Sequence, residues 1–194
     1  MANNPLDTRL LDRAIQFAVR AHAGTERRGK GFPYIVHPME AVTIVATMTA
    51  DQELLAAAAL HDTVEDTDVT VEDLREAFGD RIASLVAEES DSFEAGVPEE
   101  ESWHSRKQEA IDRLRKASRD AKMVALGDKL SNMRAIARDY AEQGESFWNL
   151  FHVKDRSEHE WHYRGLADSL RELSDTCAFR EFEQLINQVF HGTD

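Results

Sequence analysis

The sequence contains a single cysteine, Cys177, among 194 residues. That excludes an internal disulfide framework and any multi-cysteine zinc site, and it suits a reducing cytoplasm. No apolar run approaches the ~20 residues of a membrane span. The opening MANNPLDTRL has neither the basic start nor the apolar stretch of a secretory signal. A cytoplasmic location without a membrane partner is therefore expected. Positive charge is also scarce: 23 Lys and Arg stand against 37 Asp and Glu, a formal net charge of −14. Such a surface cannot displace counterions from nucleic acid, so no nucleic-acid partner is expected. It still permits a small phosphate-bearing ligand wherever cations cluster. Strand signals are missing as well, with no Asn-Gly or Asp-Gly hairpin and no sustained period-two alternation.

What remains is helical patterning. In TRLLDRAIQFAVRAHAG the apolar residues Leu11, Ala14, Ile15 and Ala18 recur at three- and four-residue steps and stop at Gly24. PMEAVTIVATM starts with Pro38, suited to a first helical turn, and DQELLAAAALHD offers Asp51 as an N-cap. TVEDLREAFGD reads as a capped helix from Thr70 to Gly79, and Asp80 starts the next. Long helices are predicted around residues 105–117 and 120–142, and two more in WHYRGLADSLREL and AFREFEQLINQVF. Residues 24–36 and 91–102 read as loops, the second as an exposed acidic connection. The expectation is an all-α fold of roughly eight to ten helices. The 194 residues are expected to form a single domain, with a motif-bearing core at about 6–140 and C-terminal helices at about 141–194.

HDTVEDT, residues 61–67, follows the apolar run ELLAAAAL. If the helix continues, the ~100° step puts His61, Asp62, Glu65 and Asp66 within about 140° of arc. Carboxylates this close repel one another, and a divalent cation would relieve the conflict. A frayed, solvated helix end is the competing reading. Two further segments bear on the choice. YIVHP carries His37 at the end of a basic loop, and VALGDKLSNMR carries Asp128 inside an apolar helical stretch, where a buried aspartate needs a partner. Taken singly, His37 reads as a packed or surface histidine and Asp128 as half of a salt bridge. Together the two histidines and two aspartates make a mixed nitrogen and oxygen set suited to a first-row divalent ion.

An ordered His…His-Asp…Asp on a helical chain resembles the HD superfamily of metal-dependent phosphohydrolases. RRGKGFPYIVHP, AAALHDTVEDT, FGDRIASLV and GDKLSNMR are similar, in order and wording, to the hydrolase domain of Rel-type (p)ppGpp enzymes and to stand-alone small alarmone hydrolases. The resemblance implies metal ligands at His37, His61, Asp62 and Asp128, with Mn²⁺ the expected ion and another divalent first-row metal an alternative. It implies a catalytic acid pair at Glu65 and Asp66, and nucleotide contacts at Arg28, Asn132 and Tyr163. The basic loop adds Lys30, and Lys129 is within reach of phosphate, although each could equally pair with surface acids. Arg27 reads as a solvated loop residue.

The implied reaction is removal of the 3′-pyrophosphate of guanosine 3′,5′-bis(diphosphate) or its pentaphosphate, giving GDP or GTP plus pyrophosphate, with a guanine nucleotide as small-molecule partner. An HD-type phosphohydrolase acting on another nucleotide is the alternative, and a non-catalytic nucleotide-binding module a third reading. Oligomeric state is left open. Two departures stand out. Where related chains read LVDGVTK or LVEEVTD this one reads LVAEESD, residues 85–91, and where they read ADRLHN or ADKLSN it has Gly127, which costs a helix about 1 kcal/mol. Trp103, Trp148 and Trp161 read as packing residues, His104, His152 and His159 as surface residues, and Cys177 as a small buried residue.

Overall fold

The structure is a computed structural model that describes residues 7–27, 29–89 and 99–191, with residues 99–101 given by backbone alone. Among these residues are ten α-helices, two short 3-10 helices and no strand. The helices are α1 (Arg9–Ala21), α2 (Val36–Val45), α3 (Gln52–Leu60), α4 (Thr63–Asp66), α5 (Val71–Phe78) and α6 (Asp80–Glu89). They continue with α7 (Glu99–Lys116), α8 (Arg119–Gln143), α9 (Arg156–Ser169) and α10 (Cys177–His191). The all-α expectation therefore holds.

Capping chemistry explains several of the boundaries. Asp51 accepts from the Glu53 amide at 2.9 Å and starts α3. Thr70 and Asp73 close a reciprocal capping box at the head of α5, the arrangement that satisfies two otherwise orphaned donors. Ser118 starts α8, and Gly144 ends it at φ +59°. Three boundaries differ from the sequence reading. Helix α2 begins at Val36, two residues ahead of Pro38. Residues 99–102 already belong to α7, so the expected acidic connection is shorter than 91–102; residues 91–98 lie outside the described residues.

The third boundary concerns the region of the site. HDTVEDT does not continue the preceding helix. Helix α3 stops at Leu60, and Thr63–Asp66 form a separate single turn after Asp62, whose φ and ψ are −93° and −4°. Every residue from Leu54 to Leu60 is buried. Helix α3 packs against α1, α2, α6 and α8 at once, and its alanines let four neighbours approach an apolar surface that runs all round the helix. That central rod delivers His61 and Asp62 into the interior at its C-terminal end.

Helix α8 is the second axis, packed on α2, α3, α6 and α10. Its first half is buried on nearly every side, from Ala121 to Leu126 and on through Gly127, Asp128, Leu130, Ser131 and Met133. Gly127 has a packing reason. A Cβ built there would lie 2.7 Å from Val45 Cγ2 and 3.0 Å from the Ala41 carbonyl oxygen. The glycine lets the α8 backbone sit against α2, bringing Asp128 up to His37.

Two expectations for individual side chains are corrected. His159 is buried, and its Nε2 donates to the Val153 carbonyl at 2.8 Å while its ring stacks on Trp148. Cys177 is exposed at the start of α10. The tryptophans are packing residues as expected: Trp148 lies in the core, and Trp103 and Trp161 are half-buried beside the exposed His104, which stacks on Trp161 at 4.0 Å.

Candidate metal centre and adjoining cavity

Three elements converge on one point. His37 comes from the first turn of α2, His61 and Asp62 from the end of α3, and Asp128 from the middle of α8. Asp128 Oδ1 is 3.0 Å from His37 Nε2 and 3.6 Å from His61 Nε2. Asp62 Oδ2 is 2.9 Å from His61 Nε2 and 3.4 Å from His37 Nε2, and the two Nε2 atoms are 3.3 Å apart. Donors bound about 2.1 Å from a common ion would be spaced roughly 3–3.5 Å from each other. His37, His61 and Asp128 fit that geometry and are all buried, while Asp62 lies against the two histidines.

The far nitrogens of both imidazoles are committed elsewhere. His61 Nδ1 lies 2.9 Å from the Ala58 carbonyl, which can only accept, so Nδ1 carries the proton. His37 Nδ1 lies 2.8 Å from Ser131 Oγ. In both rings Nε2 is the atom turned to the centre, as a metal ligand requires. The donor set of two imidazoles and carboxylates fits a divalent first-row ion.

Charge is balanced within the cluster. Burial alone would push the Asp62 and Asp128 carboxyls up, but the neighbouring groups prevail and hold both below the ordinary carboxylate range. His61 acts on Asp62, and Lys129 with the two histidines on Asp128. Burial likewise opposes the charged form of His61, yet Asp62 and Asp128 raise its pKa well above the usual value. Proton and divalent cation thus compete for the same nitrogen.

Tyr34, which the sequence reading passed over, donates to Asp62 Oδ2 at 2.7 Å. The loop that carries it is pinned by backbone pairs, Tyr34 N to Thr25 O and Arg27 N to Phe32 O, both 2.9 Å. Gly29 and Gly31 make the reversal at φ +72° and +70°, values that glycine adopts without strain. The buried His22 ring packs 4.8 Å from Tyr34, and burial lowers its pKa, keeping it neutral.

A cavity of about 240 Å³ opens from this centre, lined on one side by Glu65 and Asp66 and on the other by α7 and α8. Glu65 and Asp66 are exposed at its wall. Asn132 and Lys129 also line it, and both are bonded to Asp128: Asn132 Nδ2 to Oδ1 and Lys129 Nζ to Oδ2, each at 2.5 Å. Arg27 reaches the same cavity, donates to Asn132 and lies over the Tyr34 ring at 5.3 Å. It is therefore a wall residue rather than the solvated loop residue expected. The loop's hairpin-like pairing carries it there, which spacing alone does not show.

Other sequence candidates fall elsewhere. Lys30 pairs with Asp139 and lines a separate cavity behind His37. Tyr163 is a core residue against Phe182 and Phe190, outside the lining of the main cavity. Arg28 lies outside the described residues. Sequence reading missed the far wall, formed by Lys107, Ala110, Arg113 and Leu114 on α7 and by Ala117 just past its end. Their three- and four-residue steps are the one signal that could have marked them as a common helix face. From the divergent stretch LVAEESD, Glu88 and Glu89 both line the cavity. The Glu89 carboxylate is 3.6 Å from Lys129, and its burial raises its pKa.

A family model described as HD domain matches residues 14–151. The human guanosine-3′,5′-bis(diphosphate) 3′-pyrophosphohydrolase MESH1 is 34% identical over 180 residues, covering 91% of this chain and 90% of that protein. The guanosine-3′,5′-bis(diphosphate) 3′-pyrophosphohydrolase of Aquifex aeolicus (strain VF5) is 42% identical over 86 residues; the match takes in 44% of this chain but 12% of the relative's length. A solved structure of a metazoan ortholog of SpoT, described as hydrolysing ppGpp with a role in starvation responses, matches with a TM-score of 0.75. Its 24% identity spans 95% of this chain and 98% of that one, a likeness of fold. Family model, near full-length relative and fold agree: the chain belongs to the HD domain family.

Proposed function

We propose that the chain is a metal-dependent phosphohydrolase that removes the 3′-pyrophosphate of guanosine 3′,5′-bis(diphosphate) and of the pentaphosphate, yielding GDP or GTP plus pyrophosphate. The observation that carries this reading is the convergence of the buried His37, His61 and Asp128, with Asp62 beside both histidines and a pair of acids on the wall of the adjoining cavity. The near full-length similarity to a pyrophosphohydrolase of that nucleotide supports the choice of substrate. We take residues 1–194 as one catalytic unit, cytoplasmic in location; no helix among the described residues is long and apolar enough to cross a membrane.

His37, His61, Asp62 and Asp128 would hold the ion, with Mn²⁺ the proposed metal. Such an ion supplies water activation and polarisation of a phosphoryl oxygen. Glu65 and Asp66, which line the cavity, would take the proton of the attacking water and return one to the departing ribose 3′-oxygen. Hydrolysis breaks the bond between that oxygen and the adjacent phosphorus, so the nucleotide leaves with a 3′-hydroxyl. Arg27 and Lys129 add positive charge where the phosphates would enter a largely acidic wall. Asn132 and Lys129 also fix the Asp128 carboxylate.

A second reading keeps the centre and changes the nucleotide. Glu88 and Glu89 put two further carboxylates on the cavity wall, which disfavours a highly phosphorylated ligand near them. A Mn²⁺-loaded sample assayed with a nucleotide panel separates the two. Pyrophosphate released from guanosine 3′,5′-bis(diphosphate), reduced ~10²–10⁴-fold in Glu65→Ala, is the expected result. Phosphate released from a different nucleotide, with the tetraphosphate untouched, would establish the second reading.

A further inference from the structure

Two i,i+3 pairs cross where α2 meets α8. His37 and Glu40 lie one turn apart on α2, and Asp128 and Ser131 one turn apart on α8. His37 Nδ1 is 2.8 Å from Ser131 Oγ, and Ser131 Oγ is 2.8 Å from Glu40 Oε2. The directions of these bonds follow from chemistry. A carboxylate can only accept, so the single hydroxyl proton of Ser131 goes to Glu40. The serine oxygen is then left as an acceptor, and Nδ1 must supply the proton. His37 Nε2 is thereby left with its lone pair, turned toward Asp128, His61 and Asp62.

Glu40 is anchored in turn. Its Oε1 accepts from Arg134 Nη1 at 3.1 Å, and Arg134 donates from Nε and Nη2 to the two carboxylate oxygens of Glu181 at 2.7 and 2.8 Å. Glu181 belongs to α10, so the C-terminal helix reaches the centre through an unbroken polar chain. The contrast with His61 is informative. Its tautomer is set by a backbone carbonyl of its own helix, which no side-chain change can remove, whereas His37 depends on two side chains, Ser131 of α8 and Glu40 of α2.

We propose that Ser131 and Glu40 are positioning residues for His37: the hydroxyl–carboxylate relay fixes the tautomer and ring orientation that the metal needs, and Arg134 with Glu181 holds the relay in place. This rests on the reading of His37 as a metal ligand. Partners of this kind govern metal affinity by 10–100-fold in other sites, and His37 and Ser131 are both buried, so water has little access to replace the hydroxyl.

The test uses the full chain and two readouts, Mn²⁺ affinity by electron paramagnetic resonance of the free ion and imidazole tautomers by nitrogen NMR of the metal-free protein. Ser131→Ala should bind Mn²⁺ about 10–100-fold more weakly and shift His37 away from the Nδ1–H tautomer. Ser131→Thr, which keeps a hydroxyl, should restore both. Glu40 is partly exposed, so Glu40→Ala leaves no buried void and gives the same outcome by a route that tolerates any folding defect of Ser131→Ala. If Ser131→Ala and Glu40→Ala keep the native His37 tautomer and bind Mn²⁺ within twofold of the parent, the relay is overturned. If the parent protein takes up no Mn²⁺ at all, the ligand reading fails instead, while the tautomer measurement still decides the relay.

Discussion

The two ends of the cavity are built differently. At the metal end each of the four side chains has a hydrogen-bond partner: Ser131 for His37, Ala58 for His61, Tyr34 for Asp62, and Asn132 and Lys129 for Asp128. These residues come from α2, α3 and α8, whose buried surfaces include the alanines of α3 and the close approach of Gly127 to α2. At the far end the wall is one face of α7 with Glu88 and Glu89 from α6, and it is made of alanines, a leucine and long charged side chains. The first end is specified by chemistry, since few residue types can hold an ion. The second is specified by shape, and many sequences satisfy a shape.

The largest effect should come from striking the metal end. Asp128→Ala removes a donor and leaves Lys129 beside His61 without its carboxylate, so Mn²⁺ retention, measured by metal analysis after dialysis, should be lost together with hydrolysis. Normal Mn²⁺ content in that variant would erase the distinction between the two ends.

Proton competition gives the next effect. In the metal-free protein the raised pKa of His61 contributes stability that is present below its unfolded value, about 6.5, and is lost as pH rises through its folded value. The lowered pKa values of Asp62 and Asp128 contribute stability present above the ordinary carboxylate range and lost as pH falls. Metal-free protein should therefore melt highest under mildly acidic conditions. Mn²⁺ affinity should rise with pH, roughly tenfold per unit while His61 is protonated. A pH-independent affinity would mean that His61 is not displaced from its proton by the ion.

A smaller effect probes the helix contact behind the centre. In Gly127→Ala, crowding against Val45 and Ala41 costs ~1–3 kcal/mol, against a gain of about 1 kcal/mol in helix propensity. The net loss of about 1 kcal/mol should lower the melting temperature by ~2–4 °C. An unchanged or raised melting temperature would show that α2 and α8 can separate freely. The smallest effect belongs to the far end. Glu89→Val should leave Mn²⁺ affinity intact and change the preference between nucleotide substrates by about tenfold or less; altered metal binding would show the two ends to be coupled.

Much of this was legible in the sequence because some of its signals are local. Asp51 and Thr70 announce their helices through capping, and His61-Asp62 with Glu65-Asp66 announce ligand-type chemistry through residue type and spacing. In HDTVEDT the helix does not continue: it breaks at His61, and a separate turn carries the two acids to the cavity. What sequence did not disclose is contact between distant elements. Tyr34 reaches Asp62 through a loop reversal, Ser131 meets Glu40 across two helices, and Lys30 is drawn off to Asp139. Gly127 reads as a weak point in a helix until α2 is seen lying against it.

The central claim is that the acid pair acts on water beside an ion held by the four donors. It is tested most directly by following pyrophosphate release from guanosine 3′,5′-bis(diphosphate) by Mn²⁺-loaded protein, parent and Glu65→Ala side by side, with metal content measured in both. The account predicts turnover in the parent and a ~10²–10⁴-fold loss in the variant at equal Mn²⁺ content. Equal turnover in the two, or none in a fully loaded parent, would contradict it.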